Sequence, residues 1–202
     1  MFKIKTYNAI SVKGLERFAR DKFEVGSSIE QPDAILLRSH KLQGEPVPDS
    51  LLAVARAGAG VNNIPVDDYG KQGIVVFNTP GANANAVKEL VVAGLFLAAR
   101  NIVDAAAFAH RLEGDHATMD KLVEAGKKNY VGFELPGRTL GVIGLGAIGV
   151  EVANVALSLG MNVLGYDPGI TVQHAWALSS QVEHVTDLDE LLKRSDIVTL
   201  HV

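Results

Sequence analysis

Cysteine is absent from this chain, so neither a disulfide nor a thiolate metal site is open to it. An excess of basic charge is missing too: 19 Lys and Arg stand against 23 Asp and Glu, for a net charge of -4. That balance argues against nucleic acid or an anionic membrane surface as a partner. Long apolar runs are also missing. The longest charge-free apolar run of the first half, Leu90 to Ala99, lies between Glu89 and Arg100. It falls well short of the roughly 20 residues of a membrane span and suits a buried helix. The opening Met-Phe-Lys-Ile-Lys-Thr lacks the apolar core of a secretory signal. None of His40, His110, His116, His174, His184 and His201 stands at a metal spacing such as H-E-x-x-H, and no Ser/His/Asp arrangement is identifiable. No internal repeat or low-complexity segment is visible. The expectation is a soluble, cytoplasmic protein with no metal, no nucleic-acid partner and no membrane partner. With 48% hydrophobic and 21% charged residues, the chain can bury a real core, and 202 residues suggest one or two domains.

The most informative stretch runs from Thr139 to Pro168. Leu140 to Ile143 is a short apolar run fit for a buried parallel strand. Gly144, Gly146 and Gly149 then make G-x-G-x-x-G. The first glycine permits a tight turn, the second lets a pyrophosphate approach the backbone, and the third lets the helix pack on the strand. The start of that helix presents free N–H groups and a positive dipole end to phosphates. Val163 to Tyr166 reads as the next strand. Asp167 closes it about 18 residues beyond Gly149, close to the position of the acid that holds a ribose 2′-OH. A carboxylate there repels a 2′-phosphate, which favours NAD over NADP.

Short strands and helices alternate along the rest of the chain, which implies parallel α/β sheets. Strands are expected at Phe2–Tyr7, Ala34–Leu37, Val54–Ala57, Ile74–Phe77 and Ile197–Val202. Val12, Leu15, Phe18 and Ala19 stand at helical spacing and predict a helix over 12–22. Asp49 or Ser50 is placed to cap a short helix after Pro48. Asn83 or Asn85 can cap a long apolar helix reaching about Arg100, with a second helical stretch over 101–111. Thr186 and Asp189 have the spacing of a capping box for a helix over 188–193.

Three polar segments end strands. Consecutive glycines in Arg56-Ala-Gly-Ala-Gly-Val-Asn-Asn63 expose backbone N–H groups that can form an anion-binding nest. Arg38-Ser39-His40 supplies a guanidinium suited to bidentate binding of a carboxylate or phosphate, and Lys41 adds charge. Asn78-Thr-Pro-Gly-Ala-Asn83 is the third. Each is also explained singly, as a strand-to-loop turn, a surface arginine or a helix cap. Their joint placement at strand ends favours a ligand, because open α/β sheets bind ligands beyond the carboxyl ends of their strands.

Together these segments resemble the D-isomer-specific 2-hydroxyacid dehydrogenase family. Arg56–Asn63 is similar to its R-A-G-x-G-x-D-N signature, with Asn62 where aspartate is usual. Gly73–Asn83 resembles its substrate loop, Val87-Lys-Glu-Leu90 its V-A-E-L, and Phe133–Gly141 its lead-in to the glycine motif. Ser195-Asp-Ile-Val-Thr-Leu-His-Val202 resembles its S-D-x-x-x-L-H-x-P strand. The resemblance implies an α/β fold: a flavodoxin-like substrate domain over residues 1–98, followed by an incomplete Rossmann dinucleotide-binding domain over 99–202. A helical arm, about 101–137, is expected to form a homodimer.

The resemblance also implies hydride transfer between NAD and C2 of a small 2-hydroxy acid or its phosphate ester. Arg38, Ser39, Gly58, Ala59, Gly60 and Asn83 are implied to hold the acid. Gly144, Gly146, Ala147, Ile148, Gly149 and Asp167 are implied to hold NAD, with His201 and Val202 lining its crevice. The expected substrate is 3-phosphoglycerate, oxidised to 3-phosphohydroxypyruvate in serine biosynthesis. Another D-2-hydroxy acid, or a non-catalytic NAD(H)-binding regulator such as the corepressors of this fold, stays open. The family's catalytic arginine, glutamate and histidine lie past the strand that ends at Val202, so no catalytic residue maps onto this chain. The expectation is therefore an N-terminal fragment of a longer protein, inactive by itself.

Overall fold

The computed structural model describes residues 1–202, which form two compact units, Met1–Asn83 and Ala84–Val202. The first contains β1 (Phe2–Thr6), α1 (Val12–Leu15), β2 (Phe23–Gly26), β3 (Ala34–Leu37), β4 (Ala53–Arg56), α2 (Val66–Lys71) and β5 (Val75–Phe77). All strands pair in parallel in the order β2-β1-β3-β4-β5. That is the flavodoxin-like order. Leu37, Val54, Ile35, Ile64 and Ile74 fill its core, with Tyr69 of α2 buried against them. Because β3, β4 and β5 are neighbours, the three polar loops that follow them emerge side by side at one end of the sheet.

Two local expectations fail here. The helix predicted over 12–22 is only Val12–Leu15, followed by turns. Phe18 instead packs edge-on against Phe23 of β2, ring centroids 5.3 Å apart, so tertiary packing outweighs the helical spacing. No helix follows Pro48 either. The Ser50 hydroxyl donates to the carbonyl of Pro32 at 2.9 Å, and the chain passes directly into β4.

The second unit begins with α3 (Ala84–Ala99), α4 (Ile102–Ala109), α5 (His116–Gly126) and a 3-10 turn, Lys127–Tyr130. It continues with β6 (Thr139–Ile143), α6 (Ala147–Ser158), β7 (Asn162–Tyr166), α7 (Val172–Ala177), β8 (Glu183–His184), α8 (Leu188–Arg194) and β9 (Ile197–Leu200). The parallel strand order is β8-β7-β6-β9, the 3-2-1-4 start of the dinucleotide-binding fold. Alternation along β6 splits its two faces. Leu140 and Val142 enter the core shared with Leu95, Val152, Ala153 and Ala156, whereas Gly141 faces Leu191 of α8. A Cβ on Gly141 would stand 2.5 Å from Leu191 Cδ2, so the glycine lets α8 lie close on the sheet.

The expected division near residue 98 differs from the compact units, which part at Asn83. Helix α3 packs on α6, burying Leu95 and Ala99 in the second unit's core, and Lys88 Nζ reaches Glu151 at 3.1 Å. The bend of 64° between α3 and α4 falls at Asn101, whose φ of 50 is left-handed and whose amide donates to the Val131 carbonyl at 2.9 Å. No single helix is long and apolar enough to cross a membrane. The cap of α8 is Asp187, which accepts from Asp189 N at 2.9 Å, and not Thr186 as the spacing suggests.

Candidate cofactor and substrate sites

Strand order reverses direction between β6 and β9, which places the ligand crevice of the second unit at their carboxyl ends. Gly144, Gly146, Gly149 and His201 all stand there. Gly144 N donates to Tyr166 O at 2.8 Å, closing the turn with φ at +87. A side chain at Gly144 would meet the His201 carbonyl oxygen at 2.5 Å. A Cβ on Gly149 would collide with the Gly144 carbonyl oxygen, so this glycine sets how closely α6 approaches the loop. Gly146, the N-cap of α6, has nothing within 4 Å of a Cβ. The N–H groups of residues 146–149 meet no acceptor in the protein, as expected for the first turn of a helix. Open space over Gly146, free amides and a positive helix end form a cradle that fits a pyrophosphate.

Asp167 is tied to the same loop. One carboxylate oxygen accepts from Leu145 N at 2.8 Å and the other from Gly169 N at 2.8 Å. A carboxylate offers about four lone-pair sites, so these two bonds orient it and leave sites for ribose hydroxyls. His201 lies half-buried, with its Nε2 2.9 Å from Thr199 Oγ1. Burial lowers its imidazole below the ordinary value, which favours the neutral ring. Val202 Cγ1 would come within 2.9 Å of a side chain at Gly144, so both residues expected to line the crevice border the first glycine.

In the first unit, Arg38 follows β3 with its guanidinium exposed and in no ion pair or hydrogen bond. Ser39 is exposed beside it. Gly58 N donates to Thr79 Oγ1 at 2.8 Å, and Asn78 Nδ2 donates to Ala59 O at 2.6 Å, so the loop after β5 ties down the loop after β4. The N–H groups of Ala59 and Gly60 have no acceptor in the protein. The Arg56 guanidinium lies under them, with Nη1 2.9 Å from where a Gly60 Cβ would stand. A free guanidinium and two free amides on adjacent strand ends can hold an anion. Asn83 is exposed directly ahead of α3 and its side chain makes no hydrogen bond.

Sequence reasoning missed the residues that brace these loops. Asn8 has a left-handed φ of 63, and its side-chain oxygen accepts from the N–H groups of Arg38, Ser39 and His40 at 3.3, 3.1 and 3.0 Å. Asn63, the only buried polar residue, donates to Arg38 O at 3.2 Å and His40 O at 2.6 Å. Arg56 Nε donates to Arg38 O at 2.9 Å. The Asn63 side-chain oxygen is buried with no partner, a cost on the order of 1–3 kcal/mol. The His40 ring stacks on Tyr7 at 3.9 Å and meets Glu45 Oε1 at 2.7 Å. The one local signal was the N-N pair at Asn62-Asn63 after a glycine-rich strand end; Asn8 gave none, because its partners are some thirty residues away.

A parallel sheet with a glycine turn, a helix N-terminus aimed at open space and an acid at the next strand end defines a dinucleotide-binding domain. Comparison with known proteins makes that class specific. Residues 93–202 match the model described as D-isomer specific 2-hydroxyacid dehydrogenase, NAD binding domain. D-3-phosphoglycerate dehydrogenase of Methanocaldococcus jannaschii is 40% identical over 184 residues, covering 90% of this chain and 33% of that protein. Hydroxypyruvate reductase of Thermotoga maritima is 39% identical over 185 residues, covering 90% of this chain and 55% of that protein. Among solved structures, NAD+-bound 3-phosphoglycerate dehydrogenase of Entamoeba histolytica aligns with TM-score 0.68 at 25% identity, over 100% of this chain and 62% of that one. The chain belongs to the D-isomer specific 2-hydroxyacid dehydrogenase family. Its cofactor is the family's, NAD. The chain spans about a third to two fifths of the length of the curated phosphoglycerate dehydrogenases it matches.

Proposed function

We propose that this chain serves the NAD-dependent oxidation of 3-phosphoglycerate to 3-phosphohydroxypyruvate. The observation that carries the reading is the unpaired Arg38 guanidinium beside the free amides of Ala59 and Gly60, two anion-holding groups on neighbouring strand ends. A substrate with both a carboxylate and a phosphate uses both. Ser39 and Asn83 add hydroxyl and amide partners at the rim. NAD, when bound, supplies the hydride acceptor. The chain's own contribution there is to seat the pyrophosphate on residues 146–149 and the adenosine ribose on Asp167, with His201 and Val202 against the crevice.

Names of relatives support this reading: D-3-phosphoglycerate dehydrogenases from several organisms align over about 90% of the chain. A second reading, an unphosphorylated hydroxy acid, is favoured by the similarity to the Thermotoga hydroxypyruvate reductase. Calorimetric titration of the NAD-loaded chain decides between them. Phosphohydroxypyruvate is expected to bind at least about tenfold tighter than hydroxypyruvate, pyruvate or glyoxylate, since a charge-assisted phosphate contact is worth about 1.5–3 kcal/mol. A tighter unphosphorylated acid overturns the assignment.

The family's acid–base histidine, its glutamate and its carbonyl-polarising arginine match no position in these residues. The 202-residue polypeptide by itself is expected to bind NAD without turnover. NADH formation from 3-phosphoglycerate at ordinary enzyme rates by this polypeptide refutes that. The arm over 101–137 is proposed as a homodimer surface in the cytoplasm. Val103 and Val131 are exposed on it, at 63% and 74%. Val103→Asp is expected to shift the mass seen by light scattering to that of a monomer.

A further inference from the structure

Three consecutive backbone N–H groups, those of Arg38, Ser39 and His40, converge on one side-chain oxygen, Asn8 Oδ1. Such a concave run of amides is an anion nest. Here it is filled by a neutral carbonyl of the protein itself. The same turn is gripped from the other side through its carbonyls, by Asn63 Nδ2 on Arg38 and His40 and by Arg56 Nε on Arg38. Both amide orientations follow from chemistry: N–H groups can face only an acceptor, and carbonyls only a donor. Asn8 holds its place at φ 63, a left-handed conformation that asparagine tolerates better than most residues. The loop is therefore locked by groups from β1's end and from the loop after β4, while the Arg38 guanidinium remains free.

We propose that Asn8 is a positioning residue for acid binding: it occupies the nest of residues 38–40 and so fixes the direction in which Arg38 offers its guanidinium to the substrate anion. The proposal rests on the reading that Arg38 binds the acid. Its physical content is pre-organisation. Without the clamp, the turn after β3 samples other conformations, and binding must order it each time. The filled nest also implies that the amides of 38–40 do not bind the anion, so the charged groups of the acid are left to the Arg38 side chain and the amides of Ala59 and Gly60, with the Ser39 and Asn83 side chains at the rim. Asn63 and Arg56 join these two loops into one hydrogen-bonded body, so disorder at residues 38–40 reaches the glycine loop.

The test uses Asn8→Gly, which keeps the left-handed backbone at no steric cost and removes only the acceptor. In the full 202-residue chain, amide hydrogen exchange at Arg38, Ser39 and His40 is expected to speed up about tenfold, the weight of a well-made hydrogen bond. The dissociation constant of 3-phosphoglycerate, titrated in the presence of NAD, is expected to weaken about tenfold as well. That of NAD is expected to stay within about twofold, and the melting temperature to move little, which a general loss of structure does not allow. Asn8→Asp keeps an oxygen acceptor and is expected to restore the exchange protection. Arg38→Ala separates the two levels of the argument. If Arg38→Ala weakens 3-phosphoglycerate and Asn8→Gly does not, the positioning proposal is wrong and the substrate reading stands. If Arg38→Ala leaves 3-phosphoglycerate binding unchanged, or the wild-type chain does not bind it, the substrate reading falls and the proposal with it.

Discussion

Replacing Gly146 with alanine separates cofactor binding from folding, because the structure gives the three motif glycines different duties. At Gly146 the backbone has φ −73 and ψ −165, a region open to alanine, and nothing lies within 4 Å of the added methyl. Two small effects on stability oppose each other: alanine is a poorer N-cap than glycine, and it restricts the unfolded chain. Their balance is expected within about 1 kcal/mol, a shift of at most ~4 °C in Tm. The methyl, however, stands in the open space where the pyrophosphate is proposed to approach the backbone. Overpacking of that kind costs about 1–3 kcal/mol, or roughly 5- to 150-fold in the dissociation constant of NAD. Gly149→Ala is the contrasting variant. Its methyl overlaps the Gly144 carbonyl oxygen, so α6 must move off the loop in the folded protein whether or not cofactor is present. It is expected to lose about 1–3 kcal/mol of stability, seen as a Tm lower by several degrees. NADH fluorescence titration and thermal melts on both variants suffice. The reasoning is refuted if Gly146→Ala melts as low as Gly149→Ala, or if it binds NADH as tightly as the wild type.

Three further outcomes are expected. Burial lowers the His201 imidazole below its ordinary value near 6.5, so the unfolded chain binds more protons there. Stability is then fully present above about pH 6.5 and falls as pH drops from there towards the folded value; His201→Asn is expected to flatten that limb in melts at pH 5–7, and an unchanged slope refutes the assignment. Asp167→Ala removes the acceptors for Leu145 N and Gly169 N and the acid proposed to hold the ribose. It is expected to weaken NAD binding while lowering the preference for NAD over NADP, measured by parallel titrations. Leu191 is fully buried against Gly141, and Leu191→Ala is expected to cost about 2–5 kcal/mol in denaturant melts.

Much of the fold around the candidate site was legible in the sequence. The Thr139–Pro168 segment carried its own evidence, because each part of the dinucleotide unit is local. An apolar strand, glycines at fixed spacing and an acid at the end of the next strand all lie within some thirty residues of one another. The polar strand ends at Arg38, Gly58 and Asn78 were legible for the same reason: strand alternation and parallel topology place carboxyl ends together. Short-range spacing failed where a neighbouring group or a packing contact offered a better partner. The 12–22 helix gave way to a Phe18–Phe23 contact, Thr186 yielded the cap to Asp187, and α3 joined the second unit through Leu95 and Ala99.

Sequence alone thus determined the class of fold and the glycine-turn unit on which the NAD site is proposed, because backbone chemistry at glycines and strand ends is set by neighbours a few residues away. Only the tertiary structure decided how the loops proposed to bind the acid are held. Asn8 lies 30 residues from Arg38 and Asn63 another 25 beyond it, and no local pattern links them. The parallel sheet brings the end of β1 beside the end of β3, and only then do one amide oxygen and one amide nitrogen close on the same turn.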